Sequence, residues 1–299
     1  MNEFPITSPD FLNGFNREKI EPWDTIVHFD KITLETDQLG GLETKKALTL
    51  IERYGICLLR LHGQAPDELT FRAFFDSIGQ VMHEQNLFFG DIKNIKPEPD
   101  IEPNTGSSAG DLGFHVDGTQ TPDQPALLAF QYVDPADVGG NSRFVDLAAV
   151  LFALPTDIYE RMLTNLSHWD AATFEKAGMT LTSPIFHIPD GESIACRIRL
   201  DDVISVKPEI RGDFEILKEI LLGNSFGIKF KPLAGDIVVF DNWRVLHARD
   251  TVLGYNQRHH RRVWMEALLV QHQAYYKIGI RPVAASLKAE ILENNTRPT

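Results

Sequence analysis

The sequence predicts a mainly β fold with flanking helices, of the sandwich or jelly-roll kind. Short apolar runs bounded by turn residues recur late in the chain, at about 113–117, 126–132, 142–146, 185–189, 194–199, 237–241 and 262–270. Helical patterns, near 147–165 and 208–222, interrupt these runs and do not alternate with them, which argues against βαβ units. No GxxxxGK[ST], GxSxG or GxGxxG motif occurs, so nucleotide-loop and serine-hydrolase folds lack their anchors.

The N-terminal third is more mixed. Residues 1–24 are polar, carry Pro5, Pro9 and Pro22, and read as a loosely ordered arm. Leu42 to Tyr54 has apolar residues at helical spacing and runs into Gly55, a stop signal. Ile56-Cys57-Leu58-Leu59-Arg60-Leu61 follows as a buried strand. Asp67 is placed to cap a second helix reaching about Ile78 and closed by Gly79. Residues 90–111 are rich in Pro, Asp, Asn, Gly and Ser, and 85–111 is the candidate active-site lid. With no repeat, low-complexity tract or linker, 1–299 reads as a single domain.

Composition narrows the partners. Hydrophobic residues make up 43% and charged residues 24%, ordinary for a globular chain, and the net charge is −13. An acidic chain without a basic run argues against nucleic acid and anionic membrane, and leaves a small anionic substrate open. Cys57 and Cys196 form no CxxC pair and are expected as buried, reduced thiols. The first residues lack a signal peptide's basic and apolar regions, no apolar run is long enough to span a bilayer, and the expected compartment is cytoplasmic. Oligomeric state is not legible, and a homo-oligomer stays open.

The chemistry centres on His-x-Asp pairs. With 10 His and 23 Asp in 299 residues, chance gives roughly one, and three occur: His28/Asp30, His115/Asp117 and His168/Asp170. The middle pair differs by context. It lies on an expected strand, where residues i and i+2 share a face, so His115 and Asp117 point one way and Phe114 and Val116 the other. Gly113 and Gly118 flank it and would ease a bend at a metal. A mixed nitrogen and oxygen donor set suits iron(II) with open coordination positions. A third ligand must come from a distant strand, and His247, 132 residues on, ends a turn, strand and loop from Leu233. In Arg258-His259-His260-Arg261-Arg262-Val263-Trp264, a strand would place Arg258, His260, Arg262 and Trp264 on one face. Inward arginines are costly without anionic partners, and a bound carboxylate is one; a basic surface patch is the other reading.

At these residues the chain resembles the Fe(II)/2-oxoglutarate-dependent dioxygenases of the taurine/2,4-D dioxygenase superfamily. The resemblance covers roughly 47–270 and is carried by Gly55 to Arg60, Phe114-His115-Val116-Asp117-Gly118-Thr119, Gly139-Gly140-Asn141-Ser142 and Phe240 to Arg249. The last segment is also similar to the γ-butyrobetaine hydroxylase branch, although the chain lacks the cysteines of that branch's zinc module. The resemblance implies a double-stranded β-helix (jelly roll, cupin-like). It implies His115, Asp117 and His247 as iron ligands, and Arg262, 15 residues after His247, as the arginine for the far carboxylate of 2-oxoglutarate, with Ser142 in place of a usual threonine. Arg258, 11 after His247, matches a substrate-carboxylate position, and His83, Gln85 and Asn86 fall in a segment that lines the substrate pocket. Asp117 disfavours halogenation, which needs a small residue there.

The implied activity is oxidation of an unactivated C–H bond of a small polar molecule, an amino acid or other carboxylate. It consumes O2 and turns 2-oxoglutarate into succinate and CO2. Desaturation or oxidative rearrangement in natural-product assembly, such as isonitrile formation, shares these cofactors. A non-catalytic cupin-like binder and a zinc hydrolase are the alternatives of other classes, and neither has a use for the Arg262 clamp.

Overall fold

Alternating burial along the strands of the two largest sheets sorts those strands into two layers. The computed structural model describes residues 29–280 apart from 63–64, 83–91, 98–105, 120, 122, 156, 159–169, 177–178, 188–192, 201–203, 224–226 and 254–257, with backbone alone at 152, 170–176, 179–184 and 187. The strands, in chain order, are β1 (Thr33–Thr36), β2 (Ile56–Leu61), β3 (Gly79–Val81), β4 (Lys93–Ile95), β5 (Leu112–His115), β6 (Leu127–Asp134), β7 (Val138–Gly139), β8 (Ser142–Asp146) and β9 (Asp170–Lys176). They continue as β10 (Met179–Pro184), β11 (Phe186–His187), β12 (Ala195–Cys196), β13 (Ile204–Val206), β14 (Gly227–Phe230), β15 (Ile237–Asp241), β16 (Val245–Arg249), β17 (Val252–Leu253) and β18 (His259–Leu268). The major sheet runs β1-β2-β15-β6-β18-β3, with β4 also on β18, and a four-stranded sheet runs β14-β8-β16-β5. The fold is mainly β, as the sequence predicts.

The longer helices are α1 (Gly41–Tyr54), α2 (Glu68–Asp76), α3 (Leu147–Ala153) and α4 (Arg211–Leu222). Helices α1 and α2 cover the outer face of the major sheet, where Ala47, Leu48, Phe71 and Phe75 meet Cys57, Leu59, Leu127, Ala129, Val239 and Val263. The residues between these on the same strands face inward. Leu58, Leu128, Val238, Phe240 and Trp264 pack on Phe144, Ile228, Phe230 and Val245 of the smaller sheet. That sheet's outer side, with Val145, Leu246 and Ala248, is covered by Leu147, Leu151, Phe214 and Leu217 of α3 and α4. Among the described residues no helix is long and apolar enough to cross a membrane. Cys57 and Cys196 are buried and free, and burial pushes both thiols up.

Local signals explain most boundaries. Gly55 ends α1 in the left-handed conformation, φ 74°, its N–H bonded to Ile51 O. Asp67 caps α2 by accepting from Thr70 N at 2.7 Å. Two helix ends differ from expectation. Helix α2 stops at Asp76, and Gly79 opens β3, where a Cβ would lie 2.6 Å from Ala267 O of β18. Helix α3 ends at Ala153 because Pro155 drives Leu154 to ψ 145°; helical backbone resumes at Asp157 and Ile158, and 159–165 of the predicted run lie outside the described residues. The hairpin β9–β10 and strands β14 and β16 were not in the predicted set.

One buried ion pair ties α3 to the turn before β16. Arg244 donates Nε to Asp146 Oδ1 and Nη2 to Asp146 Oδ2, both at 2.8 Å, with side chains 1% and 0% exposed. Asp146 Oδ1 also caps α3 through Ala148 N at 2.9 Å. Arg244→Met leaves a buried carboxylate short of its cation and is expected to cost about 3–5 kcal/mol, measured as a shift in urea-unfolding midpoint.

Candidate active site

Register brings the distant histidines together. Strand β16 pairs antiparallel with β5 so that His247 lies opposite His115, with ring centroids 4.1 Å apart. Both are inward residues of strands whose neighbours, Phe114, Leu246 and Ala248, belong to the outer core. Strand β5 ends at His115, and Asp117 lies in the following turn, yet it returns to the same side. Asp117 Oδ1 is 3.5 Å from His115 Nε2 and 3.7 Å from His247 Nε2, and all three residues are buried.

The turn is held from several directions. Gly118 adopts φ +76°, and a Cβ there would meet Pro125 Cδ at 2.6 Å, so this glycine is required. Gly113 is under no such constraint, since its Cβ would find nothing nearer than 3.6 Å; its carbonyl serves the site as His115's partner. The Asn242 side chain, fully buried, accepts from Asp117 N at 2.9 Å and donates to Asp117 O at 3.0 Å and Pro125 O at 2.9 Å. Arg197 Nη1 donates to the carbonyls of Gly118 and Thr121 at 3.0 and 2.6 Å. Asn242 and Arg197 had no role in the sequence reading. Asn242 lies in the quoted Phe240–Arg249 run, but which peptide it grips depends on the fold.

The donor set fits a divalent iron site. His115 Nδ1 bonds Gly113 O at 2.8 Å, which leaves Nε2 as the ligating atom. Burial, then the neighbouring His115, hold His247 well below the usual histidine range, so its ring is neutral with a lone pair to give. Burial would raise Asp117, but Arg262 and the His115 contact outweigh it and keep the carboxylate ionised. Ligands at right angles about 2.1 Å from one ion lie about 3 Å apart; the two distances from Asp117 Oδ1 to the histidines are within 1 Å of that, and all three ligand atoms lie within 4.8 Å of one another.

The other predicted residues divide into two groups. Arg262 Nη1 donates to Asp117 Oδ2 at 2.6 Å, and Trp264 Nε1 donates to the same oxygen at 2.9 Å. Ser142 instead bonds Tyr132 Oη at 2.7 Å and lies opposite Arg249 in the β8–β16 register. Arg258 precedes β18 and does not share its strand; it is 5% exposed and donates to Gly106 O, which Arg249 Nη1 also engages at 3.1 Å. Thus Ser142, Arg249 and Arg258 gather at one end of the inner face and Arg262 at Asp117. His260 lies between these groups, its ring edge-on to Phe130 at 5.4 Å and pushed down to about 3 by burial and then by Arg249 and Arg262. His83, Gln85, Asn86 and the decoys His28 and His168 lie outside the described residues. So does most of the candidate lid, although Lys93–Ile95 within it is a strand on β18.

With this geometry established, comparison is informative. The profile described as "Taurine catabolism dioxygenase TauD, TfdA family" matches residues 18–264. The chain belongs to the TauD/TfdA family. It is accordingly a 2-oxoglutarate-dependent dioxygenase, with Fe(II) and 2-oxoglutarate as cofactors and His115, Asp117 and His247 as its facial triad. The fold is similar to PvcB from Pseudomonas aeruginosa at 22% identity and TM-score 0.61, covering 79% of this chain and 87% of that one. It is similar to a taurine dioxygenase from Burkholderia xenovorans at 18% identity and TM-score 0.59, covering 78% and 87%. It is also similar to the non-heme iron oxygenase OrfP, solved with Fe and α-ketoglutaric acid, at 15% identity and TM-score 0.58, covering 81% and 84%. No curated protein matches the chain.

Asn242→Leu keeps side-chain volume but strips partners from the Asp117 peptide. We expect it to lower stability by about 2–3 kcal/mol in metal-free protein, read by thermal unfolding, and to weaken Mn(II) binding, read by calorimetry.

Proposed function

We propose that this TauD/TfdA enzyme hydroxylates an unactivated C–H bond of a small polar substrate, an amino acid or other carboxylate. The observation that carries this reading is the placement of the buried two-histidine, one-carboxylate triad beside a second buried cluster of arginines on the same inner face. When bound, Fe(II) and 2-oxoglutarate supply the oxidising power of O2, with 2-oxoglutarate leaving as succinate and CO2.

The protein's own contribution is ligation, orientation and exclusion of water. His115 and His247 offer ring nitrogens and Asp117 one charge. Arg249 and Arg258 are 8% and 5% exposed and bond peptide carbonyls of residues 106 and 110. Burial pushes Arg249 down to about 10, so an arriving anion relieves a desolvated cation. Together with Ser142, these two supply a charge-assisted seat for the far carboxylate of 2-oxoglutarate. This reading gives Arg258 the role that the sequence assigned to Arg262, because Ser142 gathers with Arg249 and Arg258 while Arg262 is engaged by Asp117. Arg199, buried and paired through its backbone with His115, adds a cation whose charge reaches His247 and could meet a substrate carboxylate. Phe130 and Phe240, with ring centroids 5.5 and 5.1 Å from His247, exclude water behind the triad.

The pairing of two sheets across one inner core supports a jelly-roll closure of the double-stranded β-helix kind and a single domain. The Phe240–Arg249 run supports a likeness to γ-butyrobetaine hydroxylases in that segment alone. Similarity to PvcB, described as an Fe, α-ketoglutarate-dependent oxygenase from an isonitrile synthetic pathway, favours rearrangement or desaturation as the second reading.

A panel of amino acids and carboxylic acids, assayed for succinate, is expected to show turnover that needs iron and one substrate class and disappears in Asp117→Ala. Normal turnover in that variant would overturn the site. Product mass separates the readings, one oxygen gained for hydroxylation against two hydrogens lost for desaturation. Arg258→Met is expected to weaken anaerobic 2-oxoglutarate binding about 10- to 100-fold, the loss of a charge-assisted contact of about 1.5–3 kcal/mol, read by calorimetry with Mn(II).

A further inference from the structure

We infer that Arg262 and Trp264 are positioning residues that hold Asp117 as a one-oxygen metal ligand. The inference rests on the iron-site reading above but assigns roles that it does not contain. The two carboxylate oxygens of Asp117 have separate surroundings. Oδ1 faces His115 Nε2 and His247 Nε2 at 3.5 and 3.7 Å. Oδ2 is turned away and accepts from Arg262 Nη1 at 2.6 Å and Trp264 Nε1 at 2.9 Å.

The two donors form one rigid unit. Arg262 and Trp264 are two apart on β18, so both project to the inner face, and the guanidinium carbon stacks 4.8 Å from the indole centroid. The Arg262 side chain is 10% exposed and Trp264 is 7% exposed, so neither bond competes with bulk water. Strand β18 is itself fixed by β6 on one side and by β3 and β4 on the other. Asn242 holds the Asp117 peptide through both its N–H and its carbonyl. The carboxylate is therefore gripped at its backbone and at its far oxygen, and Oδ1 alone is presented.

The consequence is a coordination count. A carboxylate binding through both oxygens would fill two positions of an octahedral ion. With two histidines and a chelating co-substrate, no position would remain. Binding through Oδ1 alone leaves three positions beyond the triad, enough for a chelate and one further small ligand. Arg262 and Trp264 protect that third position by keeping Oδ2 occupied. The indole N–H adds direction without charge, and the guanidinium adds charge that keeps the carboxylate ionised.

The test uses Mn(II) alone, without 2-oxoglutarate, titrated by EPR into the wild-type protein and into Trp264→Phe, Arg262→Met and Arg262→Lys. Trp264→Phe keeps a ring under the guanidinium but removes the N–H. It and Arg262→Met are expected to weaken Mn(II) binding about 10- to 100-fold, the range for loss of a partner to a metal ligand. Arg262→Lys restores charge and one donor and should recover part of that loss. Thermal unfolding of the metal-free variants separates weakened binding from a failure to fold, and Trp264→Phe is the variant that decides if Arg262→Met does not fold. Wild-type affinity in a folded Trp264→Phe, or in both folded variants, overturns the inference. A wild-type protein that binds no Mn(II) would instead overturn the iron-site reading itself.

Discussion

The antiparallel register of β16 on β5 is the constraint on which the rest of the site depends. It sets His247 across from His115 although 132 residues separate them in the chain. A slip of one residue would turn Leu246 or Ala248 into the site and His247 into the outer core, because strand side chains alternate faces. The register is pinned from both sides. Leu246 and Ala248 are committed to the core under α3 and α4, and β8 pairs β16 on its other edge from Val245 to Arg249. Behind β16, the buried Arg244–Asp146 pair anchors the turn from which the strand starts.

Charge is the second organising quantity. The inner face carries Arg249, Arg258 and Arg262 with Asp117 in contact with the last of them. Burying guanidinium groups opposes folding unless hydrogen bonds and anions compensate. Peptide carbonyls at 106 and 110 do part of this for Arg249 and Arg258, and burial still pushes Arg249 down to about 10. The seat proposed for the far carboxylate of 2-oxoglutarate rests on this incomplete compensation. In an acidic chain of net charge −13 this is a local inversion of sign, invisible to whole-chain composition.

The arginines show where sequence reasoning reached its limit. Strand alternation marked Arg258 and Arg262 as inward cations, and both side chains are largely buried. The resemblance assigned Arg262 to 2-oxoglutarate and Arg258 to substrate by offset, but offset does not decide which cation meets Asp117. That depends on the bulge between His259 and His260, on Arg258 lying before the strand, and on the turn that returns Asp117 to Arg262. Trp264 was legible as a face-mate of Arg262, but its N–H partner was not. Asn242 was legible only as part of a run.

The sequence by itself determined the mainly β class, the triad His115, Asp117 and His247, and the family. Period-two alternation, one His-x-Asp with strand and glycine context, and ordered motifs are all local or one-dimensional signals. The tertiary structure alone decided the grip on the backbone and far oxygen of Asp117, the separation of Ser142 and Arg262, and the join of Arg249 with Arg258. Those depend on which of many antiparallel pairings closes across more than a hundred residues. Local propensity is silent on that choice, and burial of the two faces of each sheet makes it.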